Sequence, residues 1–583
     1  MSSICAHHQG RSLIGGAAEG TLIFADTGLS FWGGVDPATG QVIDQHHPLH
    51  GRQLSGQLLA IPSGRGSCTG SSVMMELISQ GRAPAALILA EPDEILTLGV
   101  LVARYFFERS LPVLCVGPQL FAQLADYGWA RVVDDRLELY RDEPEGLEPM
   151  LPARADLAFE STLKLSPFDH SLLEGQHGKA AQVAMQIVTR MAELQGAREL
   201  VDVSQAHIDG CIYTGPASLQ FAEQWVQWGA RVRVPTTLNA ISVDQRRWRE
   251  LGVDPALGDP ASALGDAYMA MGAQMSFTCA PYLLDTAPGL GEHVVWAESN
   301  AVAYANSVLG ARTQKYADYL DICIALTGRA PLAGCHVDDQ RQPRLGFTVT
   351  RPAAADDSFY PLLGYHIGAL CGSRIPLIFG LEQQCPSLDD LKAFSAAFAT
   401  TSAAPMFHLA GVTPHARDLE ASAHTRIGLP MRDVQPADLL HSWHELNSAR
   451  EAQVDVVTLG NPHFSLSEFA RLAAMCAGRR KHPDVVLAIT CGRAILEQAR
   501  QQGHVAVLEQ FGATLITDTC WCMLGEPVIP PAARVLMTNS GKYAHYAPGL
   551  VGRSVHFGSL ADCVAAACTG QTPMQSPPWL PRN

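Results

Sequence analysis

The chain has 583 residues, 47% of them hydrophobic, and a formal net charge of −16. This length predicts several domains and a large buried core. The acidic balance without basic clusters excludes a typical nucleic-acid binder, and no apolar run is long enough to span a membrane.

The N-terminal stretch MSSICAHHQG lacks the basic-then-apolar order of a secretion signal, so a cytoplasmic protein is expected. Fifteen cysteines are scattered without secreted-type spacing. Most are expected to be reduced core residues. Residues 1–145 read as a small α/β domain. Short apolar runs at Thr21 to Ala25, Leu58 to Ile61, Ala85 to Ala90 and Pro112 to Val116 predict buried strands, and Thr97 to Glu108 a helix. Between the second strand and a following helix lies SGRGSCTGSS, Ser63 to Ser72. Its glycines allow close backbone approach to a ligand, and its amides suit an anion. Arg65 could clamp a carboxylate through two parallel bonds. A serine here can serve as nucleophile, base or helix cap.

An acidic, proline-bearing stretch follows, and residues 146–158 read as a linker. Residues 159–583 read as a larger α/β domain. A helix is predicted over Ser171 to Leu194, and strands at Leu200 to Val203 and Val232 to Val234. Further strands are predicted at Val454 to Leu459, Val485 to Ile489, Ala513 to Ile516 and Val535 to Met537. Several end in polar tips: GNPH, TCGR, DTC and TNSGKY. Parallel sheets with ligands at the carboxyl ends of their strands are expected.

Polar clusters also follow other apolar runs. HIDGC begins at His207, and PTTLNA supplies Thr237. TCAPY places Cys279 before a proline, and WAESNAVAYANSVLGART carries Glu298 and Asn300. Lys542 could bind a carboxylate or act as a base. Cys279, Cys335 and Cys520 lie in loop-like contexts, and three such thiolates could hold an iron–sulfur cluster. No CxxC is present there; DTCWC is CxC.

Jointly, HIDGC, VPTTLNA, TCAPY, WAESNAVAYANSVLGART, GNPH, DTC and TNSGKYAHYAPG resemble the large domain of the aconitase X family. GRGSCTGSS resembles that family's small swivelling domain, here fused ahead of the large one as in single-chain bacterial members. The resemblance implies an aconitase-like α/β fold: a swivel domain joined to a large multi-layered domain with parallel sheets. It implies a hydro-lyase. Single-chain members dehydrate cis-3-hydroxy-L-proline to Δ1-pyrroline-2-carboxylate, whereas two-chain archaeal members dehydrate mevalonate 5-phosphate. The expected partner is therefore a small cyclic hydroxy amino acid. A non-catalytic acid-binding protein is the reading from another class.

By the same resemblance, Ser67 is the catalytic base, and Cys279 and Cys520 are cluster ligands. Two-chain members carry a third cysteine in Gly-Cys-Pro-His, where this chain has Asn461. A [2Fe–2S] cluster is then expected, with [3Fe–4S], [4Fe–4S] or mononuclear Fe3+ as alternatives. Cys335 is the preferred third ligand, with Cys563 and Cys568 as substitutes. Ser63, Arg65, Thr237, Asn300 and Lys542 are the candidates for binding substrate.

Overall fold

The computed structural model describes residues 6–145, 162–417, 428–573 and 575–581. The expected linker at 146–158 lies within 146–161, outside the described residues. The chain divides into two compact units. The first comprises Met1–Asp202, Tyr213–Val234 and Tyr316–Ala333; the second comprises Val203–Ile212, Pro235–Lys315 and Gly334–Asn583. Among the described residues, no helix is long and apolar enough to cross a membrane.

The first unit holds an eight-stranded sheet. Its centre is four parallel strands, Ala17–Phe24, Leu58–Ile61, Ala86–Leu89 and Val113–Cys115. Leu58–Ile61 and Ala86–Leu89 are buried at every position. That is why they read as unbroken apolar runs, since parallel strands are covered on both faces. The edge strand Ala6–Gln9 alternates in exposure instead. Helix Glu94–Phe107 starts where Asp93 accepts a bond from Leu96 N–H, and stops at Glu108 in the left-handed region.

Two local expectations differ from the structure. The stretch Ser171 to Leu194 is two helices, Pro167–Leu173 and Lys179–Leu194. Between them Gly175 and Gly178 take φ of +79° and +92°, outside the right-handed helical region. Val232 to Val234 form no strand and are half-exposed. The buried strand is Thr236–Leu238, which pairs in parallel with Ala206–Ile208. Its threonines had marked it as a polar tip; full burial and the ladder override that sign.

The second unit is built from parallel sheets. Thr236–Leu238, Ala206–Ile208 and Val295–Trp296 form one. His408–Leu409, Pro376–Phe379, Leu345–Val349 and Met431–Val434 form another. Ala513–Thr517, Val486–Cys491, Val456–Leu459, Val535–Thr538 and Ser554–Phe557 form the largest. The third of these strands ends at Leu459, the first at Thr517 and the fourth at Thr538, so three polar tips leave one sheet at its carboxyl end.

Candidate active site

One strand end delivers the Cys520–Cys522 loop, a second delivers Asn461, and a third backs the loop that carries Cys279. Gly460, after Val456–Leu459, has φ of +92°, and a Cβ there would lie 2.1 Å from Thr490 O. Only glycine fits, and it turns the chain into Asn461. After Ala513–Thr517, Asp518 sits in the left-handed region with φ of +69°. Arg493 holds it with two bonds, Nε to Oδ1 at 2.5 Å and Nη2 to Oδ2 at 2.6 Å. The chain then passes through Cys520 and Cys522, with Trp521 between them anchored on Leu459 O at 2.8 Å. Thr278 N–H bonds Leu238 O, extending the end of Thr236–Leu238 toward Cys279.

Cys279, Cys520 and Cys522 are all buried. The Cys520 thiol lies close enough to both others to interact with them. Asn461 Nδ2 donates to Cys522 Sγ at 3.2 Å, and His463 N–H to Cys279 Sγ at 3.3 Å. The neighbouring Cys279 and Cys522, then burial, push the Cys520 thiol well up. The neighbouring Cys520, with help from Lys542 and Asn461, brings Cys522 down. The third sulfur beside Cys279 and Cys520 is thus Cys522, not Cys335. Cys335 packs in an apolar cluster with Ile375 and Met406, and burial pushes its thiol up to about 12. Cys563 belongs to the hydrophobic core of the largest sheet, and Cys568 packs against it. The missed signal was the CxC spacing of DTCWC.

Among the described residues, no three His, Cys, Asp or Glu side chains are arranged to hold a single metal ion. Cys279, Cys520 and Cys522 are free thiols. Their chemistry nevertheless fits the iron–sulfur group implied by the resemblance: soft donors, with N–H groups aimed at sulfur from His463 and Asn461. Asn461 Oδ1 is buried without a hydrogen-bond partner, an uncompensated polar atom beside them.

Lys542 lies in the first turn of helix Gly541–Val551, which Ser540 caps. Its Nζ bonds Glu298 Oε1 at 2.8 Å. Burial works against its charge, but Glu298 and the three thiols hold its pKa well above the usual value. Burial likewise penalises the Glu298 carboxylate, yet Lys542 and Asn300 outweigh this and hold its pKa below normal. Asn300 Nδ2 donates to Glu298 Oε1 at 2.7 Å and to Cys279 O at 3.1 Å, while its Oδ1 accepts from Tyr282. Asn239 donates to Glu298 and Asp209. Thr237 bonds His207 Nδ1 at 2.8 Å. Burial pushes the His207 imidazole down to about 3.

In the first unit, Ser67 is 9% exposed. Its Oγ donates to Thr69 Oγ1 at 3.1 Å and accepts from Thr69 N–H at 3.2 Å. Ser63 Oγ donates to Gly64 O. Arg65 pairs with Asp44 at 2.9 Å, so part of its charge is already committed. The helix after the loop, Gly70–Ser79, is docked through Ser72 Oγ, which bonds Thr214 Oγ1 at 2.7 Å and Tyr319 OH at 2.6 Å.

Models of the aconitase X swivel, first, second and third domains match residues 7–139, 162–339, 342–444 and 454–569. A cis-3-hydroxy-L-proline dehydratase of Pseudomonas aeruginosa is 61% identical over 98% of both chains. One from Hypocrea jecorina is 52% identical, covering 99% of this chain and 97% of its own. The phosphomevalonate dehydratase large subunit of Methanothermobacter thermautotrophicus is 35% identical over 66% of this chain and 94% of its own. The crystal structure of Thermococcus kodakaraensis aconitase X in its holo form superposes with a TM-score of 0.63 and 28% identity, over 70% of this chain and 100% of that one. The fold is therefore the aconitase X fold, an α/β assembly of parallel sheets with a swivel domain. With four domain models spanning nearly its whole length, the chain belongs to the aconitase X family.

Proposed function

We propose that this protein is a hydro-lyase that removes water from cis-3-hydroxy-L-proline and releases Δ1-pyrroline-2-carboxylate. The relatives that match nearly its whole length carry that activity in their names. The observation that carries the reading is the buried trio Cys279, Cys520 and Cys522 beside the Lys542 ammonium. These thiols would hold a [2Fe–2S] cluster, the smaller form preferred because Asn461 stands where two-chain members carry cysteine. When bound, the group supplies Lewis acidity to the departing C3 hydroxyl.

Ser67 Oγ takes the C2 proton. The C2–H electron pair becomes a C2=C3 double bond as the C3–O bond breaks, and the hydroxide leaves as water by taking up the proton that Ser67 released when its alkoxide formed, so Ser67 ends as the neutral hydroxyl. The enamine product tautomerises to the cyclic imine. In the cis substrate the C2 hydrogen and C3 hydroxyl lie on opposite ring faces, which suits anti elimination by a base and an acid on different loops. The Thr69 N–H at Ser67 Oγ offers the developing alkoxide one donor. An ammonium has three N–H groups and Glu298 takes one from Lys542, leaving donors for the substrate carboxylate. Asn300 serves by orienting Glu298 and the Cys279 loop.

The test is turnover of cis-3-hydroxy-L-proline by anaerobically purified protein, with iron and sulfide quantified in the same sample. Product formation proportional to iron is expected. Iron-loaded protein that ignores this substrate refutes the substrate assignment; protein that cannot be loaded refutes the cluster.

A further inference from the structure

His463 has no part in the elimination described above, yet it is fully buried between the sulfur-bearing loops. Its Nε2 faces Thr519 O at 2.8 Å, and its Nδ1 faces Thr278 Oγ1 at 3.1 Å. A carbonyl oxygen only accepts, so the ring proton resides on Nε2 and Nδ1 accepts the threonine hydroxyl. Thr519 precedes Cys520, and Thr278 precedes Cys279. One neutral imidazole thus ties together the residues immediately before two of the three sulfurs. The main chain of the same residue adds a third link, His463 N–H to Cys279 Sγ at 3.3 Å.

The His463 peptide is itself anchored from behind. Lys392, 2% exposed, donates to His463 O at 3.2 Å and pairs with Glu468. Glu468 in turn accepts from Ser465 N–H at 2.8 Å and belongs to the capping box of helix Leu466–Cys476. The imidazole therefore has little room to follow either loop if one moves.

We infer that His463 is the positioning residue of the thiol centre: its ring fixes the separation of the Cys279 and Cys520 loops, and it is neither a ligand nor an acid–base group. The inference rests on the cluster reading above, because it gives the fixed spacing a purpose. Loops held this way need not be ordered when iron arrives, and partners behind ligands typically govern metal affinity.

The experiment uses the full chain as wild type, His463→Gln, Thr278→Val and Thr278→Ser. Gln keeps a donor for Thr519 O but gives up the link to Thr278. Val keeps the shape of Thr278 without the hydroxyl, and Ser restores the hydroxyl. In metal-free protein, iodoacetamide labelling of Cys279, Cys520 and Cys522 is followed by peptide mass spectrometry. Labelling in His463→Gln is expected to quicken roughly fivefold, the change in local opening for one lost hydrogen bond, and in Thr278→Val by at least as much, since Thr278 Oγ1 also accepts from Ala280 N–H at 3.2 Å. In reconstituted protein, chelator competition is expected to show iron held about tenfold or more weakly, with an altered visible spectrum, and Thr278→Ser matching wild type in both. Wild-type labelling, affinity and spectrum in His463→Gln and Thr278→Val overturn the inference, as does a Thr278→Ser protein as impaired as Thr278→Val. If His463→Gln does not fold, the threonine pair decides. If wild type itself takes up no iron, the cluster reading fails, and the labelling rates alone uphold or overturn the staple.

Discussion

Replacing Ser67 separates the proposed base from its surroundings. In the structure its hydroxyl has two partners on one residue, an N–H at 3.2 Å and a hydroxyl oxygen at 3.1 Å. A bond from a neutral N–H contributes about 1 kcal/mol, rising to about 2–3 kcal/mol when the acceptor is charged. The gain of about 1–2 kcal/mol lowers the hydroxyl pKa by roughly one unit. Such a shift leaves a serine almost wholly protonated at neutral pH, so the alkoxide must form as substrate binds. Ser67→Ala should therefore lose the whole general-base contribution, about 10²- to 10⁴-fold in kcat. Thr69→Ala, which keeps the N–H but removes the oxygen that accepts the serine proton, should lose only about tenfold, one hydrogen bond's share. The assay is single-turnover dehydration of C2-deuterated and C2-protiated cis-3-hydroxy-L-proline at equal iron content. Ser67→Ala should keep its iron, because the sulfurs belong to the other unit. A Ser67→Ala enzyme within about threefold of wild type refutes the base assignment, since that is under 1 kcal/mol of barrier.

Other outcomes follow from the charges and sulfurs. Cys522→Ser should abolish iron uptake while Cys335→Ser leaves it unchanged, as read by iron per chain after reconstitution; the reverse pattern would restore Cys335 as ligand. Lys542→Met strands the Glu298 carboxylate in the interior and should cost about 3 kcal/mol. The thermal midpoint of the metal-free protein should fall accordingly and recover in part when Glu298→Gln is added; strictly additive losses would show that the pair is not coupled. Glu94 is raised to about 7, chiefly by burial, against a donor bond from Gln195. A raised carboxyl pKa gives stability that is full below the unfolded value of 4.5 and is lost as pH climbs through about 7. The loss is at most about 3 kcal/mol, so Glu94→Gln should raise the melting temperature at pH 8 and leave it unchanged at pH 4. An equal gain at both values would trace the effect to packing.

Much of the strand inventory was legible because parallel strands buried on both faces leave continuous apolar runs. Leu58–Ile61 lies at the expected position, and Val456–Leu459, Val486–Cys491, Ala513–Thr517 and Val535–Thr538 lie within a few residues of it. Their polar tips were legible for the same reason, since composition changes where the sheet stops. Together with the family resemblance, these runs determined the fold class and drew attention to Cys279, Cys520 and Lys542. Tertiary structure alone decided what those residues meet. Thr236–Leu238 is a strand because neighbouring strands bury it, not because its residues are apolar. Cys522 joins the sulfur trio, and Cys335 does not, because of where two distant loops pass in space. Arg65, conspicuous as a free cation in sequence, is paired to Asp44 across a turn of the chain. Periodicity records a residue's own burial, whereas a site is defined by partners hundreds of residues away, and one chain read alone carries no record of those distances.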